Sequence, residues 1–268
     1  MSGFAEFQNR TWIHATLEMQ TALAVGSRLS LDPVGTDMPV MKDAQGKPFI
    51  PGSSIKGVVR FHAERVLRTV NRRPILWACD PFSAPCVSSK IKEQFWKECE
   101  GDDERFARRI FEEGCTACRL FGSPWMAGRI AFKDAFLANE EELPVVTQIR
   151  DGVGIDRDLG AAHSGVKYDF ETVVPGARFC IELVAENLGD WELGFLLTVL
   201  RMWKEGTIAI GGKSTRGPGW GTLKEIQIHQ VGRENLLDYL ISGQKAERKE
   251  DELIRAFQSW WEKEDTHA

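Results

Sequence analysis

Positions Ile55, Val58, Val59, His62, Val66, Leu67 and Val70 recur at helical spacing behind the turn Ile50-Pro51-Gly52-Ser53-Ser54. They predict an amphipathic helix from residue 55 to about residue 72. Residues 12–25 alternate loosely, with Trp12, His14, Thr16 and Glu18 set against Ile13, Ala15, Leu17 and Met19, as a half-exposed strand would. Residues 178–185 alternate more cleanly, Phe179, Ile181 and Leu183 against Arg178, Cys180 and Glu182, and residues 223–231 alternate again. Ile130, Phe132 and Ala135 mark a strand over residues 129–136, and residues 208–210 a short one. Trp191, Phe195, Val199 and Met202 form a helical stripe over residues 191–204. Leu253, Ile254, Phe257, Trp260 and Trp261 form another in a charged C-terminal helix within residues 245–268, a packing or partner face.

The order strand, helix, strand, then strand, helix, strand is that of two split βαβ halves. It predicts an α+β fold of the ferredoxin-like type, a single RRM-like domain over residues 1–268. A cysteine-bearing insertion at residues 77–118, with a helical middle around residues 95–111, interrupts it. Residues 26–51 and 140–175 are long, Gly- and Asp-rich connections, and loops of such length inside a compact domain usually carry function.

Composition narrows the partners. Of the 268 residues, 43% are apolar and 27% charged, which is ordinary for a globular protein. A net charge of −5 excludes a uniform coat of phosphate but leaves room for a basic groove on an acidic body. Acidic residues gather at 98–113, 140–142 and the C-terminal tail, whereas the glycine-rich loops carry Lys and Arg. No apolar run approaches the roughly 20 residues that span a bilayer. Nor does the N-terminus read as a signal peptide, so a cytoplasmic protein without a membrane partner is expected.

Two loops carry candidate anion chemistry. Ser53 or Ser54 can cap the first helix, whose leading N–H groups, with Lys56 in the first turn, make a phosphate site. Arg60 and Arg68 follow Lys56 at four-residue steps and extend the track. Far downstream, residues 211–221 read Gly-Gly-Lys-Ser-Thr-Arg-Gly-Pro-Gly-Trp-Gly. This is not a Walker A loop, because Thr207 stands where its first glycine belongs. It remains a flexible loop that can approach a sugar–phosphate chain, with Lys213 and Arg216 as cations and Ser214 and Thr215 as hydroxyl donors. RNA-backbone binding requires the two loops to share one surface.

Six cysteines in a reducing compartment argue against a disulfide framework. Cys115-x-x-Cys118 has the spacing of a zinc knuckle, and Cys79 and Cys86 supply the second pair of a structural Zn2+ site. Cys99 is the reserve ligand, and Cys180, on a strand, is assigned to the core. A redox role lacks the thioredoxin-like context.

Taken in order, several segments resemble the RAMP superfamily, and more narrowly the repeated backbone subunit of type III CRISPR effector complexes. They are Gly35-Thr36-Asp37-Met38-Pro39-Val40-Met41-Lys42-Asp43, Gly46-Lys47-Pro48-Phe49-Ile50-Pro51-Gly52-Ser53-Ser54-Ile55-Lys56-Gly57, Cys115-Thr116-Ala117-Cys118-Arg119-Leu120-Phe121-Gly122-Ser123, Gly152-Val153-Gly154-Ile155-Asp156-Arg157 and the 211–221 loop. The resemblance implies an RRM-like palm, a β-hairpin thumb and copies stacked on a guide RNA among other subunits of a ribonucleoprotein. Some members cut the paired target RNA through a loop aspartate and a divalent metal. The thumb falls within residues 145–175, where Ile155 or Val153 supplies an apolar wedge between bases and Arg157 a backbone contact. Asp37, in a Gly/Pro loop beside the phosphate-binding turn, is the catalytic candidate. It would hold Mg2+ or position a 2′-hydroxyl. Asp32 and Asp43 are alternatives in the same loop, unless these carboxylates only shape turns. Two other functions stay open: a non-catalytic guide-binding scaffold of the same complex, and a stand-alone RNA-processing ribonuclease.

Overall fold

A computed structural model describes residues 6–26 and 36–265. In chain order the elements are β1 (Asn9–Met19), β2 (Phe49–Ile50), α1 (Gly52–Val70), α2 (Ser89–Glu98), α3 (Asp103–Glu113), α4 (Thr116–Phe121), β3 (Ile130–Phe132) and β4 (Ala135–Phe136). There follow β5 (Thr147–Ile155), β6 (Ala162–Val173), β7 (Arg178–Glu186), α5 (Asp190–Lys204), a 3₁₀ turn (Ser214–Arg216), β8 (Gly221–Gly232), α6 (Leu236–Ser242), β9 (Ala246–Arg248) and α7 (Glu250–Asp265). The architecture is mixed α+β with antiparallel sheets.

The main sheet has five strands in the order β3-β7-β1-β8-β9. β1 lies at its centre, antiparallel to β7 on one side and to β8 on the other. Period-two alternation sends Ile13, Leu17 and Met19 of β1 and Phe179, Ile181 and Leu183 of β7 into the core. There they meet Ile55, Val59, Ala63 and Leu67 of α1 and Leu193, Leu196 and Leu200 of α5. The same alternation puts Cys180 on the opposite face, so the predicted core cysteine is exposed. Near the middle of β8 a bulge shifts the pairing with β1 between His14 and Thr16, beside Glu225 at a φ of 55°.

Other expectations are corrected by what packs against them. β1 ends at Met19, and the chain then turns away, with Leu23 bridging to Val173. α1 begins at Gly52, so Ser53 and Ser54 are first-turn residues and neither caps it. The cap comes from elsewhere: Asp134 Oδ1 accepts the Gly52 N–H at 2.7 Å. Residues 95–111 are not one helix, because Glu100 and Gly101 at positive φ separate α2 from α3. The 129–136 strand is split, β3 joining the main sheet and β4 pairing with β2. Residues 208–210 contribute one bridge, Ala209 to Trp220, and no strand. Within the polar 140–175 stretch, β5 and β6 form a separate two-stranded hairpin.

The C-terminal stripe is a packing face. Trp260 stacks on Trp191 at 4.1 Å, Phe257 lies 5.6 Å from Phe195, and the Arg72 guanidinium sits 4.2 Å over Trp261. The helix starts at Glu250; residues 246–248 form edge strand β9 instead. Among the described residues no helix is long and apolar enough to cross a membrane.

One buried ion pair ties the sheet to the helices. Arg129, just before β3, donates to Glu192 Oε2 at 3.0 Å and forms a second, shorter bond to Oε1. It also donates to Asn187 O at 2.8 Å and, through Nε, to Arg119 O at 3.0 Å. Glu192 Oε2 in turn accepts the Gly189 N–H at 3.0 Å, which satisfies the start of α5. Both side chains are nearly inaccessible, at 3% and 9%. Truncating one partner strands a buried charge. Glu192→Ala is therefore expected to lower the unfolding free energy by about 3–5 kcal/mol in urea titration. The apolar double replacement of Arg129 and Glu192 should lose much less.

Candidate functional site

The site is built on β6, at the root of the hairpin. Tyr168 pairs across from Gly152, where a Cβ would stand 2.3 Å from the Tyr168 ring, so only glycine lets that ring lie across β5. Tyr168 and Phe170 receive the glycine loop. Lys213, in the left-handed region at φ 61°, places its ammonium 4.3 Å from the Phe170 centroid and 5.3 Å from that of Tyr168. Its Nζ is also 3.1 Å from Met38 Sδ. Arg216 donates to the Tyr168 hydroxyl at 2.9 Å. The loop is held from behind, where Gly212 and Gly219 donate to Ala24 O and Ala22 O at 2.8 and 2.7 Å.

The Asp37 segment docks on the same strand. The Asp37 N–H donates to Asp169 Oδ1 at 2.9 Å, and the Asp169 N–H donates to Asp37 Oδ2 at 3.1 Å. Each carboxylate thus fixes the other's main chain. Two residues further on, Glu171 accepts from the Val40 N–H at 3.2 Å and from Lys42 Nζ at 2.7 Å. Burial pushes the Glu171 carboxyl up, but the Lys42 bond and its other donors outweigh it, and the group ends below its ordinary value. Asp43 does something else: its Oδ1 accepts the N–H groups of Gln45 and Lys47, both at 2.9 Å, and so shapes its own turn. Asp32 lies outside the described residues.

Ser214 and Thr215 line a shallow cleft of about 540 Å3 whose other wall is Gly57, Phe61 and Arg65 of α1. The N-terminal half of α1 and the glycine loop therefore share one surface. The cation track along α1 does not continue there. Lys56 and Arg60 line a different groove, about 910 Å3, together with Cys86 of the insertion and Trp125 just after it. Arg60 bonds to Glu64 at 2.7 Å and to Gly122 O at 3.1 Å. Arg68 bonds to the same Glu64 at 2.8 Å and to Cys79 O at 2.9 Å. Arg68 thus fastens the insertion to α1, and Arg60 fastens the segment that follows it. Burial, and then Arg60, pull the Lys56 ammonium below its usual range. Ser53 is exposed and Ser54 half-buried at the start of the helix.

Ile155 and Arg157 sit at the far end of the hairpin. Ile155 pairs with Ala162 at the tip and is 57% exposed, in company with Val153 and Ile149. Arg157 lies in the tip turn, which Asp156 holds by accepting the N–H groups of Asp158 and Leu159 at 2.9 and 3.0 Å. With about 3.3 Å per residue, three residues from Gly152 to Ile155 carry the wedge roughly 10 Å beyond Tyr168.

Cys79, Cys86, Cys115 and Cys118 converge, their sulfurs all within 4.8 Å of one another. Cys79 and Cys118 stand 3.7 Å apart, close to the roughly 3.8 Å edge of a tetrahedron with about 2.3 Å zinc–sulfur bonds. Cys115 is the N-cap of α4 and its Sγ accepts the Cys118 N–H at 3.4 Å, so the helix start orients the knuckle. Hydrogen bonds among the sulfurs, led by that from Cys118, push the Cys115 thiol down, and the reciprocal bond pushes Cys118 up. Such a set can bind zinc. The reserve ligand Cys99 is buried at the C-cap of α2, apart from the four.

Sequence reasoning did not single out Tyr168 or Asp169 as partners of Lys213, Arg216 and Asp37, nor Asp134 as the cap of α1. The alternation around Tyr168 and Phe170 was a usable signal for a strand. Their partners, 48 residues away for Arg216 and Tyr168 and 132 for Asp37 and Asp169, left no local trace.

Comparison with known proteins identifies the family. The RAMP superfamily model matches residues 16–224. The chain is similar to proteins named CRISPR system Cms endoribonuclease Csm3 from three organisms. With that of Methanocaldococcus jannaschii it is 25% identical, over 90% of this chain and 88% of the relative. With that of Methanothermobacter thermautotrophicus it is 27% identical, over 84% and 87%. With that of Mycobacterium tuberculosis it is 27% identical over 65% of this chain, and the match spans 63% of that relative, less than two thirds of its length. With the family model covering most of its length, the chain belongs to the RAMP superfamily.

Proposed function

We propose that this chain is a guide-RNA-binding backbone subunit of a type III CRISPR ribonucleoprotein, and that it cleaves target RNA paired to the guide through Asp37. The observation that carries the reading is the convergence of the Asp37 segment and the Lys213–Arg216 loop on neighbouring residues of β6. A carboxylate and two cations held at the root of a projecting hairpin suit a strand of RNA lying across that root. The strand order β3-β7-β1-β8, with α1 and α5 as crossovers, supports the ferredoxin-like, RRM-like palm. On this reading residues 1–268 are one domain with the insertion 77–118, the hairpin as thumb within 145–175, and the C-terminal helix. The site of action is the cytoplasm, with other subunits and further copies of the chain as partners.

The hairpin root divides the labour among residues. Lys213 and Arg216 attract the phosphates, and Ser214 and Thr215 donate hydrogen bonds to them. Ile155, at the tip, separates adjacent bases so that the strand is bent at the point of cleavage, at an unstacking cost of a few kcal/mol. Asp37, its orientation locked by Asp169, positions the 2′-hydroxyl in line with the scissile phosphorus. The two carboxylates and the RNA phosphate are hard oxygen donors of the kind Mg2+ prefers. When bound there, the cation would neutralise phosphate charge. Cys79, Cys86, Cys115 and Cys118 would hold a structural Zn2+ that organises an insertion whose own apolar cluster is small.

Replacing Asp37 by Ala is expected to slow target cutting by about 100-fold or more while guide binding stays within about twofold. Cutting at an undiminished rate would reject Asp37 as the catalytic residue, and cleavage of precursor guide RNA by the isolated chain without a target would point to the processing ribonuclease. Removing Lys213 and Arg216 should weaken RNA binding and flatten the slope of log affinity against log salt by about 0.7 per lost phosphate contact. Lys56→Ala is expected to change that slope less, because Lys56 lines a separate groove with Cys86 and Trp125 and not the cleft beside the glycine loop. Metal analysis of the purified protein should find about one zinc per chain, reduced by Cys115→Ser, whereas Cys99→Ser keeps it.

A further inference from the structure

We propose that the cleft between α1 and the glycine loop is a binding pocket for a single unstacked nucleobase of the RNA strand. The inference rests on the RNA-backbone reading of the glycine loop and adds to it a site that recognises a base. Three features of the cleft carry it.

Phe61 is 55% exposed on the α1 wall, a large ring left open to solvent. It is held in place edge-on by His62, at 5.2 Å and 86°, with the Arg65 guanidinium 5.5 Å from its centroid. A fixed ring beside an arginine is a stacking platform for any base, since every base has a π-face. Opposite stands Trp220, which cannot swing away. Its main-chain N–H donates to Thr21 Oγ1 at 3.0 Å and its indole N–H to Ser214 O at 3.3 Å.

The third feature is Gly57. It lies inside α1, where glycine weakens a helix relative to alanine. A Cβ built there would meet nothing within 4 Å, so no contact within the described chain calls for its absence. Gly57 lines the cleft, and a missing side chain on a cleft wall is explained by a ligand that comes close to the backbone. Ser214 and Thr215 supply hydroxyls that can donate to or accept from the edge of a base, and the volume of about 540 Å3 is ample for one. These hydroxyls belong to the loop whose Lys213 and Arg216 would grip the phosphates, so a strand held there has a base within reach.

The test measures affinity of the purified full chain for a labelled single-stranded oligoribonucleotide and for an abasic oligomer of equal length. Phe61→Ala should weaken binding of the normal strand about 5- to 100-fold and leave the abasic strand unaffected. Gly57→Leu, a good helix former, should keep or raise the melting temperature while weakening the normal strand by a similar factor. If both variants bind the normal strand like the wild type, and Lys213→Ala still weakens it, the pocket is refuted and the backbone reading stands. If Lys213→Ala and Arg216→Ala also change nothing, both are refuted. A changed sedimentation state in Gly57→Leu with unaltered RNA affinity would assign the cleft to a protein contact and overturn the proposal.

Discussion

The ammonium of Lys213, lodged against Phe170 and Tyr168, is the contact that turns separate segments into one site. A lysine held over aromatic faces keeps its charge while its stem is partly shielded, so it anchors a loop without losing the ability to attract phosphate. The loop carries Arg216, which ties to the Tyr168 hydroxyl, and Met38 brings the Asp37 segment against the same lysine. From the other direction the Asp37–Asp169 exchange registers that segment on β6. Without β6 as a common rail, the catalytic candidate and the cations would be unrelated loops.

A second set of constraints keeps the insertion close without adding it to that site. Arg60 and Arg68 share Glu64, and each reaches a main-chain carbonyl, Arg68 that of Cys79 in the insertion and Arg60 that of Gly122 just after it. Arg129 holds the end of the knuckle helix through Arg119 O and the start of α5 through Glu192. Hydrogen bonds of this kind are strong because one partner is charged and the geometry is a fixed fork. In the fold, Arg60 and Arg68, two members of the basic track expected along α1, are each engaged by Glu64 and by a main-chain carbonyl.

Much of the scaffold was legible in the chain. Clean alternation in residues 178–185 corresponds to β7, the alternation of residues 223–231 to β8, and the stripes at Ile55 and Trp191 to α1 and α5. The cysteine quartet was legible too, because a knuckle spacing and an upstream pair are local features. Caps and edges were harder. Ser53 and Ser54 have the chemistry of a cap, but Asp134 takes that place because the chain between β3 and β4 passes the helix start. The hairpin read as a polar loop because glycines and charged residues dominate its sequence and the apolar residues of β5, Ile149, Val153 and Ile155, face solvent and not a core.

By itself the sequence determined the local periods, the glycine-rich reversals and the spacing of the cysteine quartet, because steric preferences and burial patterns act over a few neighbouring residues. Only the tertiary structure decided which cations face the hairpin and which fasten the insertion, and that Asp37 rather than Asp43 meets Asp169. It also decided that Gly57 and Phe61 look across a cleft at Trp220. Those outcomes depend on strand register and on contacts between segments distant in the chain, as Asp37 and Asp169 are, and a single slip in register would send each side chain to the opposite face.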